Sequence, residues 1–253
     1  MHFTKMEGLG NDYLYLYGPV PKNAAELSRR LSDRHFGPGA DGLIFIAPSE
    51  TADFSMRIFN ADGSEARMCG NGIRCAGKYV YDRGLTDKTE LLFETGAGLR
   101  RLRLHTEDGS VTSVTVEMGK ARVEPRAEGG FYVDVGNPHL VLFVNDAEGV
   151  PLSTLGPQLC GSVPGGINVE LVQVLGAARL RMRVWERGSG ITLACGTGAC
   201  ASLAAAVFSG RCPAEQPVEL CLDGGSLWVT AHRDGTILMT GPARTVYEAE
   251  LAP

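Results

Sequence analysis

The 253-residue sequence contains no run of Lys or Arg longer than the pair Arg100-Arg101, and its formal net charge is −5. Nucleic acid normally binds a clustered basic face, so no nucleic-acid partner is expected. No apolar stretch approaches the roughly 18 residues that a membrane-crossing helix needs. The opening MHFTKMEGLGND lacks the apolar core of a secretory signal. The cysteine spacings Cys69-x5-Cys75 and Cys195-x4-Cys200 are not the paired CxxC of structural zinc sites, so no metal is expected. The seven cysteines (69, 75, 160, 195, 200, 212 and 221) are odd in number and cannot all pair within one chain. The expectation is a cytoplasmic protein with free thiols and no membrane partner. Hydrophobic residues at 44% and charged residues at 21% are ordinary for a folded chain, which could form one large domain or two of common size.

Shifting the sequence by 126 residues makes it match itself without a gap. Gly10-Asn11 falls on Gly136-Asn137, and LYLY (14–17) on LVLF (140–143). MRIF (56–59) falls on MRVW (182–185), and Cys69-Gly70 with Gly72 fall on Cys195-Gly196 with Gly198. Agreement at one shift over this length argues for two copies of one domain. The expected domains are 1–118, joined by 242–253, and 119–241. Strands are expected at 12–17, 42–47, 53–59, 99–106 and 111–118, then at 131–135, 139–145, 168–175 and 178–185. Turns fall at Asp108-Gly109, Asp223-Gly224 and Asp234-Gly235. Asn23 is expected to cap a helix over 24–34. Helices over 71–82 and 197–208 should end at Gly84 and Gly210. The class is α+β, strand-rich, with one main helix made twice.

In both copies Cys-Gly-x-Gly stands directly before the main helix. A cysteine there lies beside free backbone N–H groups and the positive end of the helix dipole, which favours thiolate and lowers the thiol pKa. The same N–H groups can seat a carboxylate. Two such ends serving one ligand would place a sulfur on each face of the carbon bearing that carboxylate. Inverting such a carbon takes a base on one face and an acid on the other, which a thiolate and a thiol supply. The carbanion would be stabilised by the N–H groups as charge develops on the carboxylate. A redox pair between Cys69 and Cys195 is a competing use, in which a disulfide would be an inactive form. Gly72-x4-Gly77-Lys78 imitates a phosphate loop, but Tyr79 follows where Ser or Thr is needed, and the match lies inside a predicted helix.

With these residues set out, the chain resembles the diaminopimelate epimerase family. The motifs are KMEGLGNDY (5–13), GADG (39–42), RIFNADGSE (57–65), MCGNGIRC (68–75), GNPH (136–139), NVE (168–170) and WERGSGITLACGTGA (185–199). The resemblance implies two pseudo-symmetric domains, each a mostly antiparallel, barrel-like sheet wrapped around a central helix, with the active site in the cleft between them. It implies interconversion of LL- and meso-diaminopimelate, for lysine and peptidoglycan precursors, without pyridoxal phosphate, other cofactor or metal, by a homodimer. Cys69 would be the base toward the LL form and Cys195 toward the meso form. Gly70, Asn71, Gly196 and Thr197 would hold the reacting carboxylate through backbone N–H. Asn60, Asn137, Asn168 and Arg187 would hold the distal end, and Asn11 and Glu186 would meet the reacting ammonium. His139 is expected to assist Cys69, and Glu186 to assist Cys195. A structural role is the plain alternative for His139. Gly42 departs from the Gln of many relatives, with an expected effect on packing near the distal pocket; Thr197 stands where some have Ser. Two rivals remain: a proline racemase-like or hydroxyproline epimerase-like enzyme, against which Asn71 and Arg187 argue, and a non-catalytic ligand-binding protein, which would need neither thiol.

Overall fold

The computed structural model describes residues 1–127 and 129–251. In chain order the first copy comprises β1 (His2–Gly8), β2 (Asn11–Tyr17), α1 (Ala24–Ser32), β3 (Gly42–Pro48), β4 (Phe54–Asn60), β5 (Glu65–Ala66), α2 (Gly70–Asp82), β6 (Glu90–Thr95), β7 (Gly98–Glu107) and β8 (Ser110–Lys120). The second comprises β9 (Arg122–Pro125), β10 (Phe131–Asp134), β11 (Pro138–Phe143), α3 (Leu152–Gly161), β12 (Asn168–Gly176), β13 (Arg179–Glu186), β14 (Gly190–Ile191), α4 (Gly196–Phe208), β15 (Val218–Leu222), β16 (Gly225–Ala231) and β17 (Thr236–Pro242). The last strand is β18 (Arg244–Glu250). Two compact units result: Met1–Val116 with Gly241–Pro253, and Glu117–Thr240.

Both units pair their strands by one plan. In the first, β1 is antiparallel to β18 and β2, β2 parallel to β3, β3 antiparallel to β4, β4 parallel to β6, and β6 antiparallel to β7. In the second, β10 is antiparallel to β9 and β11, β11 parallel to β12, β12 antiparallel to β13, β13 parallel to β15, and β15 antiparallel to β16. The sheets are therefore mixed. Each parallel join spans a helix, because a parallel pair needs a long crossover. The 126-residue shift carries α2 onto α4 with both ends coinciding, and brings α1 over α3.

The first unit shows why strands in such a sheet are buried on both faces. Leu14, Leu16, Leu43, Phe45 and Phe59 pack with Leu27 and Leu31 of α1. The alternate residues turn the other way: the Tyr15 hydroxyl donates to the Gly72 carbonyl of α2 at 3.0 Å. α2 is buried from Gly70 to Val80, and α4 has a buried run from Gly198 to Ala206 that is rich in alanine. Small side chains let a sheet close on a helix from several sides.

The main helices end alike. Gly84 and Gly210 have φ of +67° and +70°, a conformation that suits glycine. Gly84 N–H reaches the Tyr81 carbonyl and Leu85 N–H the Val80 carbonyl; Gly210 and Arg211 repeat this with Val207 and Ala206. At α1 the expectation fails in two details. The Asn23 side chain makes no cap bond. The helix stops at Ser32 because Asp33 turns its carboxylate onto the N–H groups of His35 and Phe36, at 2.7 and 2.9 Å.

Candidate active site

Cys69 and Cys195 occupy the N-cap positions of α2 and α4, with nearly the same extended backbone: φ −138°, ψ 116° and φ −122°, ψ 111°. Each sulfur accepts the N–H three residues on, Gly72 at 3.3 Å and Gly198 at 3.4 Å. Each carbonyl accepts the N–H four residues on, Ile73 and Ala199, both at 2.9 Å. Gly70-Asn71 and Gly196-Thr197 thus form the opening residues of the helices, where N–H groups have no partner inside the helix.

In the first unit the Cys69 thiol donates to Asn11 Oδ1 at 3.3 Å, and Asn11 Nδ2 donates to Asp41 Oδ2 at 2.7 Å. Asp41 also accepts Asp12 N–H and pairs with Arg34. Asn60 stands at the end of β4, its Nδ2 bonded to Ser64 Oγ at 3.1 Å. Tyr13 is buried, and burial, followed by Cys69 and Asp41 nearby, pushes its phenol well above the usual range.

In the second unit Cys195 is only 5% exposed. Burial, then Glu186 and Glu170, push its thiol well above the ordinary range, against the Thr197 hydroxyl and Gly198 N–H. The helix end was expected to lower it; in this unit desolvation and two carboxylates outweigh the dipole. Cys195 therefore holds its proton. Glu186 stands near Cys195 and accepts the Thr192 hydroxyl. Burial raises its carboxyl too, more than Thr192 and Cys195 lower it. Asn137 Nδ2 donates to Thr197 Oγ1 at 3.4 Å, and His139 lies against Asn137 Oδ1 at 3.1 Å. Asn168 joins the Pro138 carbonyl to Arg187 N–H, at 3.2 and 2.9 Å. Arg187 is exposed and rests Nη1 on the Gly165 and Gly166 carbonyls.

The comparisons with known proteins bear directly on these motifs. The family described as diaminopimelate epimerase matches residues 3–124 and 131–246. The chain belongs to the diaminopimelate epimerase family. Proteins named diaminopimelate epimerase from Bacteroides thetaiotaomicron and Phocaeicola vulgatus are 49% and 47% identical over 261 and 275 residues, covering 98% of this chain and 97% of each relative. One from Methanococcus maripaludis is 46% identical over 277 residues, covering 99% of both. Membership makes the chain an enzyme of the epimerase class. Among solved structures, a Bacillus anthracis phenazine biosynthesis protein of the PhzF family matches with TM-score 0.81 at 17% identity, covering 100% of this chain and 99% of that one. A hydroxyproline epimerase from Agrobacterium vitis matches with TM-score 0.76 at 17% identity, covering 99% and 90%. These two share the fold.

In each unit, residues not singled out from the sequence stand out. Glu170 is fully buried and sits 2.6 Å from His139 Nδ1. The signal was a lone carboxylate inside the apolar run NVELV. Asp41 and Thr192 orient Asn11 and Glu186, yet read as loop residues. Gly42 faces Asn60 across β3 and β4, and a Cβ there would lie 2.1 Å from the Phe59 carbonyl oxygen. A longer residue would have to move that strand pair itself.

Proposed function

We propose that the chain interconverts LL- and meso-2,6-diaminopimelate by a two-base reaction that needs no cofactor. The observation that carries this reading is the pair of matched helix starts, each capped by a cysteine sulfur that accepts the N–H three residues on. Family membership supplies the substrate, because the relatives are named for it. Toward the LL form, Cys69 as thiolate takes the α-proton, and Cys195 as thiol delivers its own proton to the opposite face. The reverse reaction exchanges the roles. Backbone N–H groups of Gly70-Asn71 and Gly196-Thr197 hold the carboxylate, onto which the carbanion's charge spreads. Asn11 and Glu186 receive the reacting ammonium, and Asn60, Asn137, Asn168 and Arg187 the distal amino-acid end. His139 and Glu186 support the proton traffic of the thiols. The raised Cys195 thiol supports the acid role toward the LL form, since a group that holds its proton can supply it.

The test is incubation of the reduced protein with LL-diaminopimelate in deuterated water and no additive. One deuterium should appear at one α-carbon as the meso product forms. Absence of uptake would refute both substrate and reaction.

A further inference from the structure

Asn11 and Asn137 are the same position in the two copies, but their amides point opposite ways. Asp41 is a carboxylate, so it must receive Asn11 Nδ2, and Oδ1 is left facing the Cys69 thiol. In the second unit Asn137 Oδ1 faces His139 Nε2, and Nδ2 is left for Thr197 Oγ1. An amide oxygen only accepts, so with Asn137 in this orientation His139 Nε2 is the donor of that contact. The other ring nitrogen, Nδ1, lies 2.6 Å from Glu170 Oε1, and a proton must stand between them.

This pair is sealed in. His139 and Glu170 are both 0% exposed, and Glu170 Oε2 has no hydrogen-bond partner among the described residues. An unshared buried carboxylate oxygen is costly, which argues that the carboxylate serves the ring. Register explains the approach. His139 pairs with Asn168 across β11 and β12, and residues two apart on a strand share a face, so Glu170 lies on the same face as His139. That face meets α4, since a Cβ on Gly198 would lie 2.7 Å from Glu170 Oε1. At the matching place in the first unit, a Cβ on Gly72 would meet Ile44 Cδ1 at 2.7 Å. Position 139 there is Tyr13.

We propose that Glu170 is a positioning residue: through His139 it holds the Asn137 amide with its NH2 toward the Thr197 hydroxyl beside Cys195. With Thr197 Oγ1 accepting from Asn137, its own proton is free for Cys195 Sγ at 3.5 Å. The hydrogen bonds then run one way, from His139 through Asn137 and Thr197 to the sulfur. Of the two matching amides, Asn11 turns its oxygen to Cys69, while Asn137 turns its NH2 to the hydroxyl beside Cys195. A donor at Cys195 suits the negative charge that remains once its proton has left. Glu170 thus acts on Cys195 through His139, Asn137 and Thr197.

The inference rests on the proposed epimerase reaction, but its test begins without substrate. Ring nitrogen NMR of the resting protein at pH 7 should show hydrogen on Nε2 of His139 and a strongly deshielded Nδ1 proton. Glu170→Gln should abolish the deshielded proton and lower kcat/KM by about 10-fold or more, with the thermal midpoint kept. Thr197→Val leaves the Glu170–His139 pair in place and cuts the relay after it, so it should lower kcat/KM similarly. A bare Nε2 in the parent would overturn the proposal, as would parent-like turnover in either variant. Should Glu170→Gln fail to fold, the parent spectrum and Thr197→Val still decide. If the parent itself exchanged no deuterium, the epimerase reading would fail while the NMR result stood by itself.

Discussion

Replacing each capping cysteine by serine separates what the sulfur does for the helix from what it does for the reaction. The N-cap position prefers Ser, Thr, Asp or Asn, and loss of such a cap to Ala costs about 0.5–2 kcal/mol. The sulfurs hold the Gly72 and Gly198 N–H groups only at 3.3 and 3.4 Å. A serine oxygen is the better acceptor, so Cys69→Ser and Cys195→Ser should change stability by between zero and about 1 kcal/mol in the favourable direction. In Cys195→Ser the buried hydroxyl finds Thr197 Oγ1 and Gly198 N–H within reach of its position. For a chain of this length that corresponds to a melting midpoint unchanged or raised by up to about 4 °C. The alanine variants should instead lose about 1 kcal/mol, or about 2–4 °C. Turnover should move the other way. A hydroxyl is a far poorer proton carrier than a thiol near neutral pH, and removing one of two positioned proton carriers costs about 10²–10⁴-fold. Thermal melts followed by circular dichroism, and deuterium uptake from solvent followed by mass spectrometry, read both effects on the same samples. A serine variant that melted well below the parent would refute the cap argument. One that turned over at the parent's rate would refute the thiol chemistry.

Other outcomes follow from the second thiol's surroundings and from the glycines. Burial raises the Glu186 carboxyl above its ordinary 4.5, so between 4.5 and the raised value the folded state binds more protons than the unfolded one. Ionised Glu186 therefore costs stability at pH 7. Glu186→Gln should melt higher there, with an advantage that shrinks as pH falls toward 4.5 and with turnover reduced; an advantage that grew on acidification would contradict this. Gly72→Ala and Gly198→Ala each place a methyl 2.7 Å from a buried side-chain atom, Ile44 Cδ1 or Glu170 Oε1. Both should lose about 1–3 kcal/mol in denaturant titrations, and Gly198→Ala should lose more turnover because it displaces the carboxylate behind His139; equal turnover in the two would count against that. Burial pushes the Cys75 thiol up to about 11, so iodoacetamide at pH 8 should modify half-buried Cys69 well before Cys75, as read by peptide mass mapping. Labelling of the two at equal rates would contradict the burial argument.

Much of the fold was legible because it is periodic. The 126-residue shift located both capped helices, and glycines at 84 and 210 marked their ends. The same shift carries α1 onto α3, but Gly156 and Pro157 within LSTLGPQLCG hid that helix. β1 went unread because Lys5 and Glu7 interrupt its apolar side, although Phe3, Thr4, Met6 and Gly8 are buried. At the site, residue types pointed to the thiols and amides, but not to which group orients which. Asn11 is held by Asp41 from a distant loop, and the near neighbours Asn137 and His139 meet Glu170 from the next strand, contacts that no local pattern announces. Helix-end electrostatics suggested two lowered thiols. The burial and carboxylates around Cys195 are tertiary, and they reverse the sign there.

The two matched cysteine caps are best tested as proton carriers by following α-proton exchange in the single alanine variants, offered each stereoisomer separately in deuterated water. Cys195→Ala, which keeps Cys69, should exchange the α-proton of the LL form without epimerising it. Cys69→Ala should exchange only at the centre of the meso form that Cys195 addresses, and should likewise form no epimer. Exchange of the LL form by Cys69→Ala at the parent's rate would contradict the assignment of one thiol to each face.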